Sequence, residues 1–317
     1  MPLSLRFLGT SASRPTVERG VASVALVREG ETFLFDCGEG TQRQMMRYGV
    51  AFNLEHIFFT HFHTDHFLGV IGLMRTMALQ GRTEPLHLYG PRGASRLLRR
   101  NELMGADRLT FPVEVHDVAP GDAIPRDEYV IQVFDQDHRG TPAVGYALIE
   151  HERRGRFNPE RAIALGIPEG PLWGKLHRLE PVTLPDGRVI DATELVGPAR
   201  RGRRVVITGD TRPHPATVEV AHHADVLVHE ATFGEEDAPR AADTGHSTAR
   251  EAAMVARHAE VRRLVLTHIS ARYTRDYGDL EREARAVFPH SIVARDGLEL
   301  VVSFDDAPDD DPSQAPT

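Results

Sequence analysis

The stretch THFHTDH, residues 60–66, packs His61, His63, Asp65 and His66 into six positions. Imidazole and carboxylate are the donors that suit a catalytic divalent cation such as zinc, which keeps a coordination position open for water. A histidine on its own is most often a surface residue or a satisfied core residue, and His56, His87, His151 and His222 are read that way. The HxHxDH cluster differs because four costly polar groups stand between two apolar segments and need partners. A strand end followed by a tight loop brings His61 and His63 to one point, while Asp65 and His66, at a helix start, face a second point nearby. His138, Asp210 and His268, also at strand ends, are the natural candidates to complete the ligand sets. Two sites follow: His61, His63 and His138 for one ion, and Asp65, His66 and His268 for the other, with Asp210 bridging. Two such ions can hold a hydroxide between them and stabilise both the entering and the leaving oxygen of a phosphoryl displacement.

The elements that must position these groups are short apolar runs, each ending in a polar residue: EHIFFTH (55–61), RVVITGD (204–210), DVLVHEAT (225–232) and RLVLTHIS (263–270). They read as buried strands, and His229 lies at the end of one of them. FLGVIGLMRTMALQ has the length and apolar spacing of a helix. HSTAREAAMVARHAE sets Ala249, Ala252, Ala253 and Ala256 on one helical face behind a capping box of Thr248 and Glu251. SLRFLGT and ASVALVREGETFLFDCG read as strands, the second as a hairpin across REGE. Strands alternating with helices predict a layered α/β domain, in which functional groups gather where strands run into loops. Between about 151 and 200 the pattern weakens, and the Gly, Pro and Arg-rich sequence reads as an inserted arm, about 151–195, with little core of its own. The expected organisation is one domain over residues 1–304 carrying that arm, then an acidic, disordered tail over 305–317.

Composition narrows the function classes. A chain of 317 residues with 41% hydrophobic content can bury a sizeable core. No run approaches the roughly 18 apolar residues of a membrane span, and MPLSLRFLGT lacks the features of a signal peptide, so the expected compartment is the cytoplasm, with no membrane partner. The single cysteine, Cys37, excludes an internal disulfide framework and a cysteine-rich zinc finger, leaving His, Asp and Glu as ligands. A net charge of −9 argues against broad affinity for polyanions, and DNA is not an expected partner. Residues 151–204 nevertheless hold eleven Lys or Arg against seven Asp or Glu, so the arm is locally basic.

In order and spacing, FLGTSASRPTVERG, FDCGEGTQRQ, THFHTDHFLG, TGDTR at Asp210, VHEATF, GHST and LTHISARY resemble the RNase Z family of the metallo-β-lactamase superfamily, across roughly residues 3–303. HxHxDH alone marks only the superfamily; FDCGEGTQRQ with HEAT, HST and HISARY is far more specific. The resemblance implies an αββα sandwich of two similar halves, two zinc ions per chain (or Mn2+ or Fe2+ in their place), and a homodimer. It also implies an endoribonuclease that removes the 3′ trailer from precursor tRNA and leaves a 3′-hydroxyl. Thr64 stands where the family commonly has Gly, and Gly20 where it commonly has Asn; neither change removes a ligand.

Releasing a ribose 3′-hydroxyl requires protonation of a poor leaving group, and His246, just before a helix start, is the candidate acid, with Glu230 of HEAT matching the residue that partners it in the family. Asp65 would accept or orient the proton of the attacking hydroxide. In the arm, GIPEGPLWGKLHR resembles the exosite with which the family grips the tRNA elbow. Gly170, Pro171, Lys175 and Arg178 are therefore expected to contact substrate, through phosphates and shape, with Arg153, Arg154 and Arg156 at the base. RRGRR at 200–204 reads equally as a phosphate contact or a charged turn. Three other readings stay open: a dinuclear hydrolase of small phosphodiesters, thioesters or lactones; a noncatalytic RNA-binding module; and an iron redox site.

Overall fold

The structure, a computed structural model, describes residues 2–101, 108–273 and 276–304; the tail expected over 305–317 lies outside the described residues. The first half of the chain forms β1 (Leu3–Gly9), β2 (Ser23–Arg28), β3 (Glu31–Phe35), α1 (Thr41–Tyr48), β4 (His56–Phe58), α2 (Thr64–Phe67), α3 (Gly69–Leu79), β5 (Leu86–Pro91), α4 (Ala94–Asn101) and β6 (Val113–Val118). Next come β7 (Ala123–Pro125), β8 (Tyr129–Asp135) and β9 (Val144–Glu150). A separate compact unit, Glu150–Gly202, holds α5 (Pro159–Ala164), α6 (Pro171–His177), β10 (Val182–Thr183) and β11 (Val189–Ile190). The chain continues through β12 (Arg204–Ile207), α7 (Pro215–Val220), β13 (Val226–Glu230), α8 (Ala238–Thr244), α9 (Ala249–His258), β14 (Leu264–Thr267), α10 (Gly278–Val287), β15 (Ser291–Val293) and β16 (Glu299–Val301).

Two seven-stranded sheets result, ordered β16-β1-β2-β3-β4-β5-β6 and β15-β14-β13-β12-β9-β8-β7. In each, four consecutive strands run parallel, β3 to β6 and β12 to β15, as apolar runs covered on both faces must. The strand period of two sorts their side chains. Phe33, Phe35 and Phe58 point between the sheets, where they meet Val133, Tyr146, Val205 and Val228. Leu34, Ile57 and Leu88 point outward to Met45, Leu73 and Met77 of α1 and α3. On the far side Leu227 and Leu266 meet Ala252, Ala256 and Leu280 of α9 and α10. Removing a core ring such as fully buried Phe58 would cost about 3–5 kcal/mol. The layers are therefore helix, sheet, sheet, helix, the expected αββα sandwich. The capping box at α9 is present in both directions, Thr248 to Glu251 and back.

The Glu150–Gly202 unit departs from expectation, because it has a core: Ala162, Ile167, Leu176, Val182, Leu184, Ile190, Ala192 and Leu195 are buried together, edged by Phe157, Leu165, Leu172 and Trp173. Its helices have six and seven residues and its strands two, so each gives one buried residue and no run is long enough to show a period. Asn158 caps α5 through the Arg161 N–H, and Gly170, with φ of 142°, turns the chain so that Pro171 opens α6.

Candidate metal centre

The loops that follow the parallel strands of both sheets converge at their carboxyl ends. β3 leads to Asp36, β4 to His61 and His63, α2 carries Asp65 and His66, β12 leads to Asp210, β13 ends at Glu230, and β14 leads to His268. His138 follows β8, and His246 stands between α8 and α9. Close backbone approach makes this possible: a side chain at Gly209 would stand 2.5 Å from the Thr60 Cβ, and one at Gly38 2.2 Å from the Asp65 carbonyl. Ser13, Asp36, Arg139 and His268 adopt left-handed backbone, with φ of 60°, 56°, 52° and 56°, a conformation that non-glycine residues keep only where their surroundings impose it.

The donor atoms of His61, His63, His138 and Asp210 lie within 4.8 Å of one another, and so do those of Asp65, His66 and His268. Asp210 stands between the groups. Its Oδ2 is 3.6 Å from His61 Nε2 and 3.9 Å from His138 Nε2, while its Oδ1 is 3.4 Å from His66 Nε2 and 3.3 Å from His268 Nε2. That is the disposition of a carboxylate that can serve two ions at once.

Hydrogen bonds behind the imidazoles fix which nitrogen faces inward. Thr60 Oγ1 donates its one proton to Asp36 Oδ2 at 2.8 Å, so it accepts from His61 Nδ1 at 3.1 Å and leaves His61 Nε2 as a lone pair. Thr232 Oγ1 likewise donates to Glu230 Oε2 at 2.8 Å and accepts from His268 Nδ1 at 2.9 Å. His138 Nδ1 donates to the Gly245 carbonyl and His66 Nδ1 to Asp36 Oδ2, each at 2.8 Å. His63 turns Nδ1 toward His138 Nε2, 3.2 Å away. Among the described residues, His61 Nε2 and Asp210 Oδ1 are buried without a hydrogen-bond partner. Inward nitrogen and carboxylate atoms spaced in this way, with the His61, His66, His138 and His268 rings oriented from behind, fit divalent cations bound through nitrogen and oxygen.

Charge is distributed unevenly over the cluster. Burial and the neighbouring His66 hold His61 well below the ordinary imidazole pKa, so its lone pair is free of protons at neutral pH. Burial opposes charge on His66 too, yet Asp210 and Asp36 outweigh it and raise its pKa well above the usual value; a metal at that point must displace a proton. Burial would raise the Asp65 pKa, but the hydrogen bond from His268 and the charges of His66 and His268 hold it below the usual carboxylate range. The Ser13 N–H also donates to Asp65 Oδ2 at 2.8 Å.

His246 lies beside this cluster, its Nδ1 3.9 Å from Asp210 Oδ2 and 2.8 Å from Glu230 Oε1. Burial lowers the imidazole pKa, and the Glu230 carboxylate overrides it and lifts it to about 9. Glu230 is itself 1% exposed and is held by the N–H groups of Thr211 and Thr232 at 3.1 and 3.0 Å. A protonated imidazole, partly open to solvent and backed by a fixed carboxylate, is suited to give a proton from Nε2.

Several groups that shape the site were not singled out from sequence. Asp36 orients both Thr60 and His66, Thr232 orients His268, and Ser13 tethers Asp65. A lone carboxylate ending the apolar run FLFD was the available signal for Asp36; nothing local marks Thr232 or Ser13. His229, though at a strand end, is fully buried with Nδ1 on the Glu230 carbonyl, and takes no part in the cluster. Thr64 is exposed at the start of α2, where its side chain disturbs no ligand. Gly20 donates its N–H to Asp296 Oδ2 at 2.6 Å. Of RRGRR, Arg203 is buried against the Val302 carbonyl and the Phe304 ring, and Arg204 caps the His222 carbonyl, so both serve the fold. Lys175, Arg178, Gly170 and Pro171 are all exposed.

Comparison with known proteins agrees with this geometry. The family described as "Anti-Pycsar protein Apyc1" matches residues 3–149, and "Beta-lactamase superfamily domain" matches residues 183–269. The chain is 62% identical over 314 residues to a protein named ribonuclease Z from Gemmatimonas aurantiaca, covering 99% of this chain and 100% of that one. It is 51% identical to ribonuclease Z from Myxococcus xanthus, covering 96% and 99%. Among solved structures, the short form of human tRNase Z is similar with a TM-score of 0.69 and 27% identity, covering 95% of this chain and 100% of that one. With its sandwich fold, its clustered imidazoles and carboxylates, and full-length identity of this order, the chain belongs to the ribonuclease Z family of the metallo-β-lactamase superfamily.

Proposed function

We infer that this protein is a metal-dependent endoribonuclease that removes the 3′ trailer from precursor tRNA and leaves a 3′-hydroxyl on the tRNA. The observation that carries the reading is the His246–Glu230 pair at 2.8 Å beside a cluster of seven side chains suited to hold metal, in a chain 62% identical to a ribonuclease Z. The ligand sets proposed are His61, His63 and His138 for one zinc ion and Asp65, His66 and His268 for a second, with Asp210 shared. When bound, such cations supply a hydroxide nucleophile at neutral pH and neutralise charge on the phosphoryl oxygens.

The residues of the chain do the remaining work. Asp65, anchored by Ser13 and weak as a base, orients the nucleophile rather than retaining its proton. His246, kept charged by Glu230, delivers a proton to the departing 3′ oxygen, without which the alkoxide is a poor leaving group. Thr211 and Thr232 hold Glu230 so that its charge stays on His246. On the exposed face of α6, Lys175 and Arg178, with the turn at Gly170 and Pro171, form the proposed contact for tRNA phosphates. A homodimer and a cytoplasmic location complete the proposal; no helix among the described residues is long and apolar enough to cross a membrane.

Incubation with a precursor tRNA bearing a 3′ trailer, followed by mapping of the cut and its end groups, tests the reading. Cleavage beside the discriminator nucleotide with a 3′-hydroxyl on the tRNA is expected. Inert precursor together with rapid hydrolysis of a thioester or lactone would overturn it.

A further inference from the structure

A second group of imidazoles lies at the amino-terminal end of the parallel strands of the first sheet. His56 opens β4 five residues before His61, about 16 Å at a strand rise of 3.3 Å per residue. Its neighbours across the sheet are His87 on β5, then Glu114 and His116 on β6. In register, His87 faces Glu114 and Tyr89 faces His116, so all four project from the same face of the sheet.

His87 Nδ1 is 3.3 Å from His116 Nε2 and 3.4 Å from Glu114 Oε2. One ring nitrogen has a single proton or a single lone pair, so it cannot bond well to both. Both contacts are also longer than the ordinary hydrogen-bond range of about 2.7–3.2 Å. They match a different geometry: ligand atoms about 2.0–2.1 Å from a tetrahedral cation stand about 3.3–3.4 Å apart. The donor atoms of all three residues lie within 4.8 Å of one another.

We propose that His87, Glu114 and His116 form a peripheral site for a divalent transition-metal cation of the zinc class, distinct from the catalytic cluster, which ties β6 to β5. Two imidazoles and one carboxylate are a donor set such cations favour over magnesium or calcium. The rings are held in advance. His116 lies flat on Tyr89, with centroids 4.6 Å apart at 17°, and His87 is stacked between His116 at 5.5 Å and His56 at 5.2 Å. Arg126 and Arg82 are positive charges near His56, and the Arg126 Nη2 is engaged on His56 Nε2 at 3.0 Å; Glu114 is the one negative charge of the donor set. The Glu114 side chain is 52% exposed and that of His87 27%, so an ion reaches the site from solvent. β6 is the last strand of its sheet, and the cation would close that edge to its neighbour.

The test is zinc content. Full-length protein stripped of metal, reloaded with Zn2+ and gel-filtered should hold one zinc more per chain than His116→Ala or the Glu114→Gln, His87→Asn double variant treated identically. Precursor tRNA cleavage should be unchanged in those variants. The difference of one does not depend on how many ions the catalytic cluster holds. In unmutated protein, zinc should also shift the side-chain nitrogen resonances of His87 Nδ1 and His116 Nε2, a readout that needs no variant to fold. Equal zinc content in folded variants, or resonances that stay in place in excess zinc, would overturn the proposal.

Discussion

Around the metal centre each inward imidazole of His61, His66, His138 and His268 is held at its far nitrogen by a buried partner, at 2.8 to 3.1 Å. In the Glu150–Gly202 unit the residues expected to meet substrate stand in the open, and Arg178 pairs with Glu180 at 2.8 Å where both side chains are about half exposed. The two regions solve different problems. A reaction step needs donors fixed before substrate arrives, because misplacement by about 1 Å costs on the order of 100-fold in rate. A long polyanion needs charges that can exchange one partner for another. An exposed ion pair is weak and screened by salt, so Arg178 can leave Glu180 for a phosphate with little loss. Substitutions in the first region should therefore change metal content and turnover, and those in the second should change affinity.

The largest effect belongs to Asp210→Ala. With both oxygens facing different imidazoles, its loss should reduce bound zinc and lower precursor cleavage on the order of 10^4-fold or more, measured by metal analysis and single-turnover rates. Retained occupancy of two ions would break the assignment of a shared carboxylate. Next comes His246→Ala, which should keep the full metal content and lower kcat by about 10^2–10^4-fold. Glu230→Gln should act in the same direction by about 10–100-fold, because it leaves the imidazole in place without its charge partner.

pH sharpens the contrast within the centre. The His66 pKa is raised well above its ordinary value, so in metal-free protein this group stabilises the fold below the unfolded pKa of about 6.5, and that contribution is lost as pH rises through the folded pKa. Zinc must displace this proton, so zinc affinity should fall by up to about tenfold per pH unit on acidification, measured by competition with a chelator. For His246 the metal-free pKa of about 9 has the same sign: its charged form contributes stability below about 6.5 and loses it between there and 9. In the loaded enzyme nearby cations disfavour the imidazolium, so kcat should decline with rising pH at or below 9, and His246→Ala should abolish that decline. The smallest effect is expected from Lys175→Ala with Arg178→Ala: a rise of a few-fold to about tenfold in KM for precursor tRNA and a salt dependence shallower by about one to two, with small phosphodiester hydrolysis unchanged.

Much of this arrangement was legible from sequence because strand ends are legible. Four apolar runs ending in or leading to His, Asp or Glu mark β4, β12, β13 and β14, and the carboxyl ends of such strands are where a layered α/β protein collects its polar groups. What stayed hidden were hydrogen bonds between distant segments, such as Asp36 to His66 and Thr232 to His268, separated by 30 and 36 positions. A threonine behind a histidine has no local signature; its role exists only once two loops meet. The core of the Glu150–Gly202 unit was missed for a different reason: eight buried residues spread over elements of two to seven residues leave no periodic trace. His87 reads as an ordinary surface or satisfied core histidine, because its neighbour His116 is supplied by the fold from 29 positions away.

The claim that half-buried His246 serves the leaving oxygen is tested most directly by one variant on two substrates. p-Nitrophenyl phosphodiesters release an anion that needs no proton, whereas precursor tRNA releases a ribose 3′ oxygen that does. His246→Ala should therefore lose about 10^2–10^4-fold in turnover on precursor tRNA and far less on the nitrophenyl ester, at unchanged zinc content. Equal losses on both substrates would contradict the account, and place His246 in metal binding or in the fold.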